Sequence, residues 1–281
     1  MTHTMQRTLA GDTTITGVGL FTGAPSRVVL RPADADAGIV FVRTDTPQPV
    51  RIPASLDHLA PAEHRTALHA HGVRLETVEH CLAALAGLAI DNATIEVHGP
   101  ELPIGDGSCL LFTEAIEPVG IAELDAPARM LVVREPIEVT CEQTGAVLRA
   151  EPSTNDPEYR FELDYGPDAP IHSHHAEIAL CPETFCADLA FARTFSTLRE
   201  AEAARAMGLF THLEPKDMLV IGPDGPIDNA LRRDDEPARH KVIDMIGDLS
   251  LVGRRLHGRF IGQRSGHALN HALARALTDQ G

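Results

Sequence analysis

The sequence predicts an α+β fold of two similar units, each a two-layer sandwich of a sheet packed on helices, with a functional site at their interface. A chain of 281 residues with 43% hydrophobic content is long enough for two domains. Short stretches of alternating polar and apolar residues predict strands in both halves. Two apolar helices, one in each half, carry polar residues and lead into a strand.

The first half begins with short strands separated by turn residues, a pattern typical of an antiparallel sheet. An apolar helix follows over about Glu76–Leu88, and a strand over Ala93–Val97 comes next. Pro100–Ser108 is a Gly- and Pro-rich loop, and Cys109–Ala115 begins another helix. The early strands are predicted at Gln6–Leu9, Thr13–Val18, Ser26–Arg31 and Ile39–Arg43.

The pattern loses its periodicity around Glu123–Arg129, and we place a domain boundary there, with domains at 1–126 and 127–281. Helices are predicted in the second half at Pro182–Ala190, Ser196–Met207 and Ala268–Leu277. Strands are predicted at Met130–Val133, Ile137–Cys141, Ala146–Ala150, Arg160–Leu163, His174–Ile178, Met218–Ile221 and Phe260–Gln263.

A weak internal repeat links the two halves. The first apolar helix ends at Gly87 and leads to a strand at Asn92–Gly99. The helix that contains His240 ends near Gly253 and leads to a strand at Arg255–Gly262. Helix–turn–strand units are common, but both of these helices carry candidate metal ligands. We therefore predict two sheet-plus-helix units that face each other across a shared cleft.

Composition argues against several classes of partner. The net charge of −16, spread along the chain, argues against nucleic acid or an anionic membrane surface. The absence of Trp and the presence of only two Tyr disfavour stacking on single-stranded nucleic acid. The five cysteines are dispersed without a CxxC pair, which is a poor disulfide framework. No apolar signal region or long apolar run occurs, so we expect a cytoplasmic protein without a membrane anchor, and a monomer.

The segment Arg239–Asp248 is the most informative part of the chain. Residues four apart on a helix share one face, about 6 Å apart along the axis, so His240, Asp244 and Asp248 form a polar stripe. An imidazole and a carboxylate at this spacing can bind Zn²⁺, although such a pair is more often a solvated helix face. The aliphatic neighbours favour the metal site. Gly247 in mid-helix costs about 1 kcal/mol relative to Ala and indicates close packing.

A third ligand is available at the start of the other apolar helix. His80 would complete a His₂Asp set and leave a fourth position open for water. Glu79, beside a ligand, is placed where a general base can act. Alone, the pair has a simpler explanation, a first-turn glutamate and a semi-buried histidine on a helix that Thr77 caps. Combined with the His240 helix, it is typical of a metal-dependent hydrolase.

Further polar groups belong to the same prediction. His267 lies in the turn Ser265-Gly-His267 after a predicted strand, where it either reaches a cleft or caps the terminal helix. Thr194 and Lys241 offer a hydroxyl and an ammonium group that can stabilise a developing oxyanion. None of these is diagnostic alone. The chain has no GxGxxG between a strand and a helix, so dinucleotide binding is not predicted.

The chain combines several short motifs in a fixed order. They are Gly17-Val-Gly-Leu20, Thr77-Val-Glu-His80, Ile90-Asp-Asn92, Pro103-Ile-Gly-Asp-Gly-Ser108, Arg193-Thr-Phe195, Arg239-His-Lys-x-x-Asp244-x-x-Gly-Asp248 and Ser265-Gly-His267. In order and spacing they resemble the zinc-dependent UDP-3-O-acyl-N-acetylglucosamine deacetylases, a family that catalyses the committed step of lipid A biosynthesis. The resemblance extends from about Gln6 to Leu273.

The resemblance implies roles for the residues singled out above. His80, His240 and Asp244 match the zinc ligands of the family, and Glu79 matches the base that activates the attacking water. It also implies a small-molecule substrate, an acylated UDP-amino sugar. The expected reaction is hydrolysis of the N-acetyl amide with release of acetate.

The remaining roles also come from the resemblance. His267 matches the cation that stabilises the oxyanion and protonates the leaving amine, with Asp248 orienting it. Thr194 and Lys241 match residues that contact the carbonyl oxygen and the substrate. The implied substrate contacts are Phe195 against the sugar and Asp164 with Tyr165 at the uridine end.

The family fold has two α+β domains with inserts that frame an acyl-chain passage, which places the inserts of this chain near Leu56–Arg74 and Ser196–Leu231. Several features depart from the family pattern. Phe21 stands where His is usual, Phe210–Pro215 stands where a Gly-rich segment is expected, and Arg232-Arg233 stands where an Arg-aromatic pair is common. Two alternatives follow, a deacetylase of a different acylated amino sugar and a metal-binding paralogue without turnover. The presence of both Glu79 and His267 argues against the paralogue.

Overall fold

The computed structural model of the chain describes residues 4–280. Its two halves are built on five-stranded sheets, and the long apolar helices of the two halves pack against each other. In the first half the helices are α1 (Glu79–Gly87) and α2 (Leu110–Ile116). The strands are β1 (Met5–Leu9), β2 (Thr13–Val18), β3 (Pro25–Pro32), β4 (Ile39–Arg43), β5 (Val50–Pro53), β6 (Leu59–Ala60), β7 (Ala67–Ala70), β8 (Val73–Leu75), β9 (Ala93–His98) and β10 (Ile121–Pro127).

The described part of the second half contains four α-helices, of which the last two are the longest. They are α3 (Pro182–Thr184), α4 (Leu198–Ala206), α5 (Glu236–Leu249) and α6 (His267–Gln280). The strands are β11 (Met130–Val132), β12 (Ile137–Cys141), β13 (Ala146–Glu151), β14 (Glu158–Leu163), β15 (His174–Ala179), β16 (Phe195–Thr197), β17 (Leu219–Gly222), β18 (Gly225–Pro226), β19 (Arg255–His257) and β20 (Arg259–Gln263).

The two five-stranded sheets have the same topology. The first has the order β2-β3-β9-β4-β5 and the second the order β12-β13-β20-β14-β15. In each sheet one neighbouring pair is parallel, β4 with β9 and β14 with β20, and the other pairs are antiparallel. Each central strand is preceded by the long apolar helix of its half, α1 before β9 and α5 before β20. The predicted repeat and the α+β class are confirmed.

The regions predicted as inserts form small sheets of their own. The first contains a 3₁₀ turn at Leu56–His58 and the antiparallel strands β6, β7 and β8. The second contains α4 and a three-stranded sheet of β16, β17 and β18. These short strands have few alternating positions, and the sequence pattern identified only one of the six in advance.

The helices α1 and α5 cross at Gly247. A Cβ atom at this position would lie 2.2 Å from the carbonyl oxygen of Glu79 and 3.2 Å from its Cα. Only glycine therefore allows the two backbones to approach this closely. The close packing predicted from the glycine within this helix is confirmed, and it brings the start of α1 against the last turn of α5.

Two local predictions are wrong. The segment Glu123–Arg129 is largely strand, because β10 pairs with β1 as a two-stranded ribbon. The predicted strand Arg255–Gly262 is two strands interrupted at Gly258, where a Cβ would lie 2.7 Å from Val133 Cγ2. The helix predicted at Pro182–Ala190 is present, as an α-helical turn that continues as a π-helical turn to Leu189.

The strands assigned to the ribbon β1–β10 and to the first five-stranded sheet all lie before residue 128, and those of the second five-stranded sheet all lie after residue 136. We retain 126/127 as the proposed domain boundary. Within residues 4–280, the search for a helix both long and apolar enough to span a bilayer finds none.

Candidate active site

The helices α1 and α5 bring together the residues predicted as metal ligands. One ligand atom each from His80, His240 and Asp244 can be chosen so that all three lie within 4.8 Å of one another. The Nε2 atoms of His240 and His80 lie 3.3 and 3.9 Å from Asp244 Oδ1. All three residues are buried. The i, i+4 stripe of α5 and the second residue of α1 therefore form one cluster.

The donor atoms of this cluster suit a divalent metal. The Nδ1–H of His240 donates to the carbonyl of Ala192 at 3.2 Å, which leaves Nε2 facing Asp244. Burial lowers the pKa of His80 to about 3, so this imidazole is neutral at pH 7. Two imidazoles and one carboxylate form a donor set typical of Zn²⁺.

Lys241 fixes the second oxygen of Asp244. Its Nζ lies 2.8 Å from Asp244 Oδ2, opposite the oxygen that faces the histidines. Burial favours the neutral acid at Asp244, but the charges of Lys241 and His267 outweigh burial and hold the pKa well below its usual range. The carboxylate is therefore ionised, with one oxygen directed towards the histidine pair.

Glu79, the first residue of α1, lies beside this cluster. Its Oε2 accepts the backbone N–H of Thr66 at 3.0 Å. The side chain is buried, and burial, together with the nearby carboxylates Asp248 and Asp244, raises its pKa to about 8. A carboxyl group with this proton affinity is suited to accept a proton near neutral pH.

His267, the first residue of α6, faces Asp244 from the other side. Its Nδ1 donates to Asp248 Oδ2 at 2.7 Å, and its Nε2 lies 4.0 Å from Asp244 Oδ2. Burial disfavours the charged imidazole, but the charges of Asp248 and Asp244 outweigh it and raise the pKa to about 9. The structure therefore places a protonated imidazole within a few ångströms of the ligand cluster.

Aromatic residues border the cluster. The rings of Phe195 and His240 meet edge to face with centroids 6.2 Å apart, and Tyr165 contacts Phe195 in the same way at 6.2 Å. Lys241 Nζ lies 5.6 Å from the centre of the Phe195 ring. Phe195 and Tyr165 thus form an apolar wall next to a metal ligand and a cation.

Thr194 and Asp164 are held by local contacts. The backbone N–H of Thr194 donates to the carbonyl of Gly107 at 2.7 Å. The Oδ1 of Asp164 accepts the N–H of Gly166 at 2.9 Å and the hydroxyl of Ser173 at 3.2 Å, so this carboxylate stabilises its own turn. Thr194 directly precedes Phe195, and Asp164 directly precedes Tyr165, so both lie next to the aromatic wall.

A buried ion pair joins the aromatic strand to the ligand helix. The Nε of Arg193 lies 2.7 Å from Oε1 of Glu236, the first residue of α5 and one turn before His240. Arg193 also donates to Asn229 Oδ1 and to the carbonyl of Ala230. The segment that contains Thr194 and Phe195 is therefore fixed to the helix that carries two of the ligands.

Sequence reasoning missed three residues that surround Asp248. Thr66 donates its hydroxyl proton to Asp248 Oδ1, Asn270 Nδ2 donates to Oδ2 at 2.8 Å, and His271 Nε2 lies 3.4 Å from Oδ1. The sequence contained a signal for two of them, because Asn270 and His271 lie three and four positions after His267 on a predicted helix. Thr66 is 182 positions from Asp248, and no sequence pattern indicated their contact.

The prediction that Thr77 caps the first helix is wrong. The residue before Glu79 is Val78, which makes no side-chain cap, and Thr77 has a left-handed φ of 59°. Its hydroxyl donates to Glu101 Oε1 at 2.7 Å, and the same carboxylate accepts the backbone N–H of Phe21. The helix therefore begins at Glu79 rather than at Glu76, and Thr77 ties it to the loop at Phe21.

Two of the departures from the family pattern, at Phe21 and Phe210, meet in space. The rings of Phe21 and Phe210 lie with centroids 5.1 Å apart, and the guanidinium of Arg65 lies 3.9 Å above the Phe21 ring. His212 Nε2 lies 3.1 Å from the carbonyl oxygen of Gly19 and can donate a hydrogen bond to it. The loop before β3, the first insert and the second insert are thus in contact.

Comparisons with known proteins agree with this geometry. A family profile described as UDP-3-O-acyl N-acetylglycosamine deacetylase (LpxC) matches residues 6–279. The chain is 42% identical to the UDP-3-O-acyl-N-acetylglucosamine deacetylase of Phenylobacterium zucineum, over 97% of this chain and 92% of the relative. It is 39% identical to the enzyme of that name from Myxococcus xanthus, over 97% and 86%. It is 36% identical to that from Brucella melitensis, over 97% and 94%. The chain belongs to the UDP-3-O-acyl N-acetylglycosamine deacetylase family.

Proposed function

We propose that the protein hydrolyses the N-acetyl amide of UDP-3-O-acyl-N-acetylglucosamine, releases acetate and thereby catalyses the committed step of lipid A biosynthesis. Membership of the family and the names of its relatives support the substrate. The observation that carries the proposal is the arrangement around the ligand cluster. A buried carboxylate with raised pKa and a protonated imidazole lie beside one His₂Asp set.

His80, His240 and Asp244 would hold Zn²⁺, and this ion would polarise the amide carbonyl and lower the pKa of water. Hydrogen bonds around the cluster orient two of the three donor groups before any ion binds. Ala192 orients the ring of His240, and Lys241 orients the carboxylate of Asp244. Such supporting contacts are typical of metal sites whose ligand geometry is preformed.

Glu79 would act as the general base. The backbone N–H of Thr66 holds one of its oxygens at 3.0 Å, so the carboxylate has a fixed position at the start of α1. Its raised pKa of about 8 gives it the proton affinity to take a proton from the attacking water.

His267 would act as the acid. At neutral pH it is protonated, since its pKa is about 9, and its Nδ1–H is held by Asp248. The Nε2–H is therefore the group free to stabilise the oxyanion and then to protonate the leaving sugar nitrogen. Thr194 and Lys241 would contact the carbonyl oxygen and the substrate.

Phe195 would pack against the sugar, and Asp164 with Tyr165 would contact the uridine end of the substrate. The aromatic edge contacts between Phe195, Tyr165 and His240 support this placement. We also propose that the first and second inserts frame the passage for the acyl chain.

A second candidate is deacetylation of a different acylated amino sugar. The contact of Phe21 with Phe210 favours it, because two positions that depart from the family pattern form one apolar cluster under Arg65. The metal and acid–base residues are the same in both candidates. The difference concerns only which acylated amino sugar is accepted.

Acetate release from UDP-3-O-acyl-N-acetylglucosamine by the purified protein, with and without added Zn²⁺, tests the proposal. We expect turnover that a chelator removes and zinc restores, and a loss of about 10² or more in Glu79→Gln. Asp12→Asn, at an exposed surface carboxylate, is the matched control and should retain activity. Stoichiometric zinc without acetate release would indicate the non-catalytic paralogue instead.

A further inference from the structure

Thr66 contacts both the proposed base, Glu79, and Asp248, which holds the proposed acid His267. None of the sequence motifs includes Thr66. It is fully buried just before β7, within the first insert. Its backbone N–H donates to Glu79 Oε2 at 3.0 Å, and its carbonyl accepts the N–H of Val78 at 3.1 Å. Its hydroxyl reaches Asp248 in the other half of the protein. One residue therefore spans from the start of α1 to the carboxylate that holds His267.

The direction of each hydrogen bond at the Thr66 hydroxyl is determined. Asp248 is ionised and can only accept, so the single hydroxyl proton of Thr66 is donated to Asp248 Oδ1. The hydroxyl lone pairs are then left for His271 Nε2, 2.9 Å away, which donates. Two further donors, His267 and Asn270, occupy Asp248 Oδ2 at 2.7 and 2.8 Å. The carboxylate is thus fixed at both oxygens, and removal of Thr66 Oγ1 takes the nearest donor away from Oδ1 and leaves only the longer contact with His271.

We propose that Thr66 is a positioning residue that sets the spacing between the base Glu79 and the acid His267. The inference rests on the proposed deacetylase function. The backbone of Thr66 fixes Glu79 and its hydroxyl fixes Asp248, and Asp248 fixes His267. Base and acid come from different halves of the chain, so this spacing requires a group bonded to both sides. Thr66 provides it within a single residue.

Three variants test the role of the hydroxyl. Thr66→Val keeps the shape and the N–H but removes the hydroxyl, whereas Thr66→Ser keeps the hydroxyl and removes a methyl group. Thr113→Val is the control, since Thr113 is buried and its hydroxyl bonds only weakly to helical carbonyls at 3.4 Å. Because a misplacement of about 1 Å costs about 10²-fold, we expect kcat of Thr66→Val to fall about 10- to 100-fold with KM nearly unchanged. Thr66→Ser and Thr113→Val should stay within about threefold.

Zinc content and imidazole NMR separate positioning from folding. Thr66→Val should retain one zinc, and in the metal-free protein at a single pH the Nδ1 proton signal of His267 should shift or broaden in Thr66→Val but not in Thr66→Ser. A wild-type kcat in Thr66→Val, equal losses in the Val and Ser variants, or an unchanged His267 signal in Thr66→Val would each overturn the inference. If wild-type protein releases no acetate, the proposed function fails, and the NMR comparison alone decides the role of Thr66.

Discussion

Replacement of Gly247 by Ala should lower both the free energy of unfolding of the protein and its affinity for the metal. In a solvent-exposed helix this change would stabilise the helix by about 1 kcal/mol, because Ala is the better helix former. Here the new Cβ would lie 2.2 Å from the carbonyl oxygen of Glu79, and ordinary C···O contacts are no shorter than about 3.3 Å. The helices α1 and α5 must therefore separate by about 1 Å. We expect a net destabilisation of about 1–3 kcal/mol, as in other overpacked cores.

The same separation moves His80 away from His240 and Asp244. Since metal sites tolerate deviations of only about 0.2 Å in ligand distances, zinc affinity should fall by at least about tenfold. Chemical denaturation of the metal-free protein measures the stability, and a competition titration with a chelator measures the affinity. Gly11→Ala is the matched control, because a Cβ there would lie 3.8 Å from Val119 and fit. A Gly247→Ala protein with unchanged stability and zinc affinity would refute the packing argument.

Three further predictions concern the site. Metal analysis of His80→Ala and His240→Ala should show loss of stoichiometric zinc, and retention of a full equivalent in both would show that the ligand assignment is wrong. In the metal-free protein, the pairing of His267 with Asp248 should contribute up to about 3 kcal/mol to the free energy of unfolding. This contribution should be fully present below pH 6.5 and be lost as the pH rises through about 9. His267→Gln should lack this pH-dependent loss in denaturant titrations, and equal pH profiles for variant and wild type would contradict it. When kcat/KM is measured for substrates of different acyl length, it should show a clear optimum, since each buried methylene contributes about 0.8 kcal/mol to binding. The optimum should move when Phe210–Pro215 is replaced by a Gly-rich segment. A flat profile would show that this segment does not line the passage.

Local sequence patterns predicted the strands and helices whose own residues show a recognisable pattern. The strands Thr13–Val18, Ile39–Arg43 and Ile137–Cys141 have the predicted bounds, because each is a run of five or six residues rich in β-branched side chains. The strand β10 was missed although Glu123–Ala126 alternates polar and apolar residues, because this alternation covers only four positions before Pro127. The short strand Val50–Pro53, at the sheet edge, carries too few positions for a pattern.

The candidate site likewise contains residues that local sequence patterns predicted and contacts that they could not predict. The i, i+4 spacing of His240 and Asp244 predicted one face of α5, and the structure places His80 next to it. The contact between Thr66 and Asp248 could not be predicted, because it depends on how the first insert folds onto the second half. Likewise, Phe21 and Phe210 are separate departures in the sequence, and only the tertiary fold shows that they touch.

The repeat explains why the proposed site needs both halves. The first half supplies the proposed base Glu79 and one candidate ligand, His80, whereas the second supplies two candidate ligands and the proposed acid His267. Neither half contains the complete candidate donor set or the complete proposed acid–base pair. The relative position of the halves therefore sets the geometry of the proposed site, and it depends on contacts that cross between them. Gly247 allows the helices to approach, and Thr66 bonds across from Glu79 to Asp248, so we propose that these two residues set the distances on which the reaction depends.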